Sequence, residues 1–361
     1  QPQPGDKLIV LLLPVALIGW YAPGRLGKRA VRAVRALFWF IIYVVFINLF
    51  WSLMNDAWSI KSKDGYLISP MFYIFDAFVF LMVLVLYDRY KERFLTLTVK
   101  LVLVSVVFQT FMTFVYTRGS ALRSAGLFNQ PNQLGYFAIL AASILLLGQH
   151  RFRGLPAVLT PVQALVGQLC ATYLALLSAS KAALVSVAIL GLVAVINRLR
   201  TLVVLGIVAA FFIFVANPFE SAIERSTNRI SNDQTMGFFE ERGYDRLVQH
   251  PEWLLFGGGE GEYMRFKETS SIGSHELHSS IGTLVFCYGL AGTFLFFVFL
   301  HRVVKGASWT RLMILGPPAA FGLTHQGLRF TMLWVMLGIV VMLNEQDAQA
   351  QKARALGKSG T

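Results

Sequence analysis

His278 closes a long polar stretch, in Ser274-His275-Glu276-Leu277-His278-Ser279, and a hydrophobic run follows at once. Imidazole titrates near neutral pH, so a histidine placed there, opposite several cations, has the chemistry of a general base. Glu276 is placed to orient it. The cations begin with Arg242 and Arg246. If 238–249 is helical, these two are i and i+4 on one face, a spacing at which like charges repel. Arg246 has no acid three or four residues away, so the pattern expects an anion between the pair. Arg118 and Arg123 precede the cluster Asn129, Pro131 and Asn132, which reads first as a turn and helix cap. Lys181 follows Ser178-Ala179-Ser180, and His325 and Arg329 share a short segment near the C-terminus. Cations gathered on one membrane face suggest an anionic ligand.

Other chemistries fit less well. His275 and His278 are three apart, whereas a zincin needs His-Glu-x-x-His, and no clear third and fourth ligand follows. No metal is expected. Ser279 and Ser280 are too local to His278 for a serine nucleophile, and no Gly-x-Ser-x-Gly occurs. The run Gly257, Gly258, Gly259 reads as flexible turn chemistry. A phosphate cradle there has neither a Walker pattern nor a dinucleotide fingerprint behind it.

The elements that must position these residues are membrane spans. Apolar residues make up 56% of the 361-residue chain and charged residues only 14%, against about 25% in a soluble domain. Mean hydropathy is +0.60. About eleven apolar segments approach the ~20 residues a bilayer requires: 8–22, 37–54, 68–87, 94–116, 133–148, 155–177, 181–197, 201–216, 281–301, 310–324 and 330–344. Helices are expected, because lipid cannot satisfy free backbone groups. The expectation is therefore an all-α, polytopic transmembrane bundle of about 11–12 spans. It forms one integral membrane domain over 1–361, with a long loop, 217–280, before the last three spans. The chain begins at Gln1, so a further N-terminal segment is expected to precede it. Cys170 and Cys287 both lie in apolar runs and read as buried thiols rather than a disulfide.

Charge sets the orientation. Eighteen basic residues, from Arg25 to Lys358, fall in segments that alternate along the chain, and these segments are expected in the cytoplasm. The net charge of +13 is thus read as a membrane bias, and no nucleic-acid partner is expected. The segments 55–67, 117–132, 178–180, 217–280 and 325–329 then lie outside. The loop 217–280 carries six basic and eleven acidic residues, a net charge of −5. A polar loop of that length between spans is usually functional.

Five stretches, taken in order, resemble the O-antigen ligase and polysaccharide polymerase superfamily of bacterial inner-membrane glycosyltransferases. They are Gly126-Leu127-Phe128-Asn129-Gln130-Pro131-Asn132-Gln133-Leu134-Gly135, Leu177-Ser178-Ala179-Ser180-Lys181-Ala182-Ala183-Leu184, and Glu241-Arg242-Gly243. Then come His250-Pro251 through Gly257-Gly258-Gly259-Glu260-Gly261-Glu262-Tyr263, and Glu276-Leu277-His278-Ser279 running into Tyr288-Gly289-Leu290-Ala291-Gly292. The N-terminal third matches only as hydrophobic spans.

The resemblance implies a helical fold with a periplasmic active site and no cofactor. The donor would be an undecaprenyl-diphosphate-linked glycan. The acceptor would be another lipid-linked glycan in polymerases, or lipid A–core in ligases. The family's arginine and histidine fall on Arg242 and His278, as catalytic residues. Its serine–arginine turn falls on Ser180-Lys181, where lysine keeps the charge and loses the bidentate fork. Arg123, Lys181, Arg246 and Arg329 would bind the diphosphate, with Glu276, His325 and Asn132 in support. The ending His325-Gln326-Gly327-Leu328-Arg329-Phe330 with Trp334 favours the polymerase branch, which would pair with a chain-length regulator. A ligase is the nearer alternative. A polysaccharide or lipid transporter is the more distant one, and it would show polar spans, pseudo-symmetric halves or broken helices.

Overall fold

The computed structural model describes residues 26–57, 64–116, 125–149, 157–195, 238–266 and 275–358, together with the single positions 14 and 18. All regular structure among them is helical. The helices are α1 (Lys28–Ala57), α2 (Asp64–Tyr90), α3 (Glu92–Tyr116), α4 (Pro131–Gln149), α5 (Pro161–Leu177) and α6 (Lys181–Val195). Two short ones follow, α7 (Phe238–Glu241) and α8 (Asp245–Gln249), then α9 (Ser280–Val304), α10 (Trp309–Thr324) and α11 (Thr331–Lys358). Five of these are long and apolar enough to cross a membrane: α1, α2, α3, α4 and α9. The protein is membrane-embedded. Helices α5 and α6 are apolar and shorter. The expected spans 8–22 and 201–216 fall outside the described residues, apart from positions 14 and 18.

The chain divides into two compact units. The first contains α1, α2, the segment 238–266, α9 and α11. The second contains most of α3, then α4, α5, α6 and most of α10.

In the first unit, α1 packs against α2 and α9, and α11 packs against α2 and α9. Aromatic rings fill the core: Phe40 lies against Tyr73, Tyr288 and Phe296, with centroids 5.2–6.1 Å apart. One end of this unit is charged. There Arg29 donates its backbone N–H to Glu345 and its guanidinium to the Lys305 carbonyl, at 3.0 and 2.8 Å.

In the second unit, α4 packs on α5 and α6. Thr160 and Gln163 close a capping box at the start of α5, with Pro161 in the first turn, which is the sequence logic of a helix N-terminus. Pro317 and Pro318 lie inside α10. Pro318 has no N–H for the Ile314 carbonyl, and the Ser143 hydroxyl donates to that carbonyl instead, at 3.4 Å. The Tyr136 and Phe321 rings stack at 4.6 Å. Cys287 is buried, Cys170 is half-buried, and both are free thiols.

Candidate active site

The expected helix over 238–249 is broken. Gly243 has φ 75°, α7 ends at Glu241 and α8 starts at Asp245. Glycine enters this left-handed region without the Cβ penalty of other residues. The break separates Arg242 and Arg246, which do not share one helical face.

Arg246 is fully buried. Its guanidinium donates to the His275 carbonyl at 2.8 Å and sits 5.6 Å from the centre of the Tyr263 ring. Burial lowers its pKa, and no surface is left for the anion expected beside it.

Arg242 is placed differently. It donates to the Thr324 carbonyl at 2.8 Å and meets Glu241 at 3.4 Å, with 16% of its side chain exposed. Its own carbonyl accepts the His278 backbone N–H at 3.3 Å. Thus two residues 36 apart in sequence become neighbours.

His278 is exposed and sits two residues before α9. Partial loss of hydration lowers its pKa, and the charges of Arg242 and His275 add to that. Glu276 and Glu241 oppose it more weakly. These causes favour the neutral imidazole, the form in which it accepts a proton.

The start of α9 is fixed by hydroxyls. Ser279 caps the helix through Gly282 N–H at 3.0 Å, and shares a 2.6 Å hydrogen bond with Tyr244. Tyr244 also donates to the Leu323 carbonyl. Ser280 donates to the His325 carbonyl at 3.0 Å and accepts from Gly327 N–H at 2.8 Å. The His325 ring meets the Thr324 hydroxyl at 2.8 Å. The segment 325–330 is thereby tied to the base of His278.

Arg329 is held by two carboxylates. Its Nη2 pairs with the fully buried Glu260, and its Nη1 lies 3.1 and 3.3 Å from the oxygens of exposed Glu276. Burial pulls its pKa down, but Glu260 and then Glu276 outweigh that and hold it well above the ordinary arginine range. Glu276 thus faces Arg329, whereas it was expected to orient His278.

Glu260 is the residue that sequence reasoning missed. It also accepts from the Tyr288 hydroxyl, and its backbone N–H donates to Asn48 at 2.9 Å. An acid surrounded by glycines, as in Gly257-Gly258-Gly259-Glu260-Gly261, was the available signal. Small residues let backbone close around a charge.

The glycine run is not a phosphate cradle. The N–H groups of Gly257, Gly258 and Gly259 donate to the carbonyls of Trp253, Phe286 and Cys287 at 2.7–2.9 Å. Nor is the run a loose turn. Helix α9 is broken at Gly289 (φ 63°, ψ −174°), and the loop pairs with the groups that the break releases. A Cβ at Gly289 would sit 2.5 Å from the Leu255 carbonyl oxygen, so no larger residue fits. Arg265 closes the loop from outside. It donates to the Gly258 and Gly259 carbonyls from within a cage of Trp51, Tyr66 and Trp253, whose centres lie 5.0–5.7 Å away.

Asn132 and Lys181 belong to the second unit. Lys181 is exposed at the first position of α6, which Ser180 caps through Ala183 N–H. Asn132 lies in the first turn of α4, and Gly135 one turn on packs against Ser178 and Ala183. Arg118 and Arg123 lie outside the described residues. Among the described residues, no group of three or more His, Cys, Asp or Glu could hold a metal ion. No family model matches the chain, and no curated protein matches it.

Proposed function

We propose that the protein is a bacterial inner-membrane glycosyltransferase that polymerises undecaprenyl-diphosphate-linked repeat units into O-antigen or exopolysaccharide at the periplasmic face. The observation that supports it best is the exposed imidazole of His278 beside Arg242 at the start of a membrane helix. The order of the five sequence stretches supports it independently.

In this reading His278 takes the proton from the acceptor hydroxyl as that oxygen bonds the anomeric carbon. The bond from that carbon to the diphosphate oxygen breaks, and the diphosphate leaves with the electron pair. Direct displacement inverts the anomeric centre. Arg242 stabilises the charge that grows on the leaving group, an interaction stronger in the transition state than before it. Arg246 and Arg329 act at one remove, because carbonyls and carboxylates engage them. The assignment of Arg123, Lys181 and Asn132 to diphosphate binding rests on the resemblance alone.

Among the described residues, the broken helix α9 and the buried polar residues Asn48 and Asp76 within spans are features a transporter would share. The groups freed in α9 pair with the protein's own loop, so they do not line a path for ions.

The test is polymer formation in liposomes supplied with undecaprenyl-diphosphate-linked repeat units, with lipid A–core offered in parallel. A ladder of products is expected without lipid A–core. Transfer to lipid A–core alone would make the protein a ligase. Movement of the substrate across the bilayer with no new glycosidic bond would overturn the enzyme reading.

A further inference from the structure

The segment 250–262 stands in a stretch that its charge marks as an outer loop, but its partners lie deep along the spans. The Leu290 and Ala291 N–H groups donate to the carbonyls of Leu254 and Leu255 at 2.7 and 3.2 Å. Leu290 is ten residues from Ser280 at one end of α9 and fourteen from Val304 at the other. At 1.5 Å per residue that is about 15 Å from the first end and about 21 Å from the second, well inside a ~30 Å hydrocarbon layer. Helix α1 gives the same depth. Its Tyr43 hydroxyl donates to the Phe256 carbonyl at 2.7 Å. Tyr43 lies about 12 Å past Arg35 and about 16 Å before Met54 along the helix. The loop then returns: Gly261 and Glu262 lie against Gly65 at the start of α2.

Two further properties suit that depth. Every carbonyl from Leu254 to Gly259 has a donor, in order Leu290, Ala291, Tyr43, Trp51 and, for the last two, Arg265. Loops in water leave many carbonyls to the solvent, whereas irregular backbone inside a bilayer must be satisfied by protein. The exposed residues at the tip are also apolar. Leu255 is 56% exposed and Phe256 61%, next to exposed Leu290 and Phe294 of α9.

We infer that segment 250–262 is a re-entrant loop whose tip, Leu255 and Phe256, contacts the acyl chains of the bilayer. The loop enters near His250, turns at about mid-membrane and leaves at Glu262. Glu260 lies on the returning limb, where Arg329 bridges it to exposed Glu276, and both of its carboxylate oxygens are engaged. The inference does not depend on the reaction the protein performs.

Single cysteines test it in the full chain reconstituted in liposomes, on a Cys170→Ser background with buried Cys287 as the blank. Phe256→Cys and Leu255→Cys change side chains that pack on little, so folding should persist and can be checked by the thermal melt. A charged maleimide does not partition into hydrocarbon, so these two should label slower than Glu240→Cys by about an order of magnitude or more. A nitroxide on Phe256→Cys should collide with oxygen more often than with a water-soluble nickel chelate. Labelling as fast as at Glu240→Cys would place the loop in water and overturn the inference. Protection from both collision reagents would mean that protein covers the tip, and would overturn it equally.

Discussion

The segment 238–280 and the turn 177–184 both hold residues expected to meet an anion, and they are built in opposite ways. At 177–184 the contacts are local. Ser178 donates to Ala175, its hydroxyl accepts Ser180 N–H, and Ser180 caps α6. Lys181 projects from a capped helix, and its own backbone is part of that helix. Among the described residues of 238–280, several polar side chains reach residues far along the chain: Arg242 to Thr324, Arg246 to His275, Glu260 to Tyr288 and Arg329. The hydrogen bonds of the first region join residues a few positions apart, and Gly135 of α4 packs on Ser178 and Ala183. The second exists only when α1, α9 and the turn after α10 are in place.

This contrast is sharpest at Glu260. Glu260→Ala should be the most damaging change in the molecule, since it leaves Arg329 without its buried partner. Breaking a buried pair from one side costs about 3–5 kcal/mol. The expected result is loss of the folded protein, read as a lower melting temperature and poor recovery in detergent. A melt unchanged from wild type would show that the network is not what holds the loop.

His278→Ala should act on the reaction and not on the fold. Transfer should fall by about 10²–10⁴, the usual worth of a general base, with the melt unchanged because the side chain is exposed. Polymer made at the wild-type rate would remove the base from this site. Arg242→Ala comes next, with a large loss of turnover and a small loss of stability from the Thr324 contact. Arg242→Lys should restore part of the rate, as it keeps the charge and loses the fork.

The pH profile is a gentler probe. A base works in its neutral form, so the rate falls as pH drops through the folded pKa. Burial, Arg242 and His275 place that pKa below the ordinary value near 6.5. Activity should therefore persist somewhat below pH 6.5. Arg242→Lys should keep that acid limb, because the neighbouring charge remains. A midpoint above 6.5 would mean that another group titrates.

The smallest effect is expected at the local region. Lys181→Arg should leave rate and stability nearly unchanged, because arginine keeps the charge and Ser180 makes the cap. A strong loss there would show that the lysine itself is needed, and the two regions would be less different than their contacts imply.

The same contrast separates what the sequence discloses from what it hides. Apolar runs give the helices within the described residues, but not all of their bounds: α1 starts nine residues before the expected 37, α5 six after the expected 155, and α11 runs fourteen past the expected 344. The caps at Thr160, Ser180 and Ser279 follow from residue type. The place of His278 beside a long apolar helix is legible, whereas its meeting with Arg242, 36 residues away, is not. The burial of Arg246 was not legible. It depends on Gly243 breaking the helix and on the His275 carbonyl arriving from 29 residues away. Glu260 and the break at Gly289 were hidden for the same reason, since a glycine shows that backbone is free to bend and not what it bends against.

The gap at Gly289 also constrains the order in which the chain is assembled. Segment 250–262 leaves the ribosome before α9 does, and at that moment the carbonyls of Leu254 and Leu255 have no donors. Neither the loop nor the first half of α9 can enter lipid alone without stranding backbone groups. They must close on each other, as two halves of a single insertion step. A chain arrested before Leu290 should therefore leave its loop open to added protease, and one arrested after α9 should not.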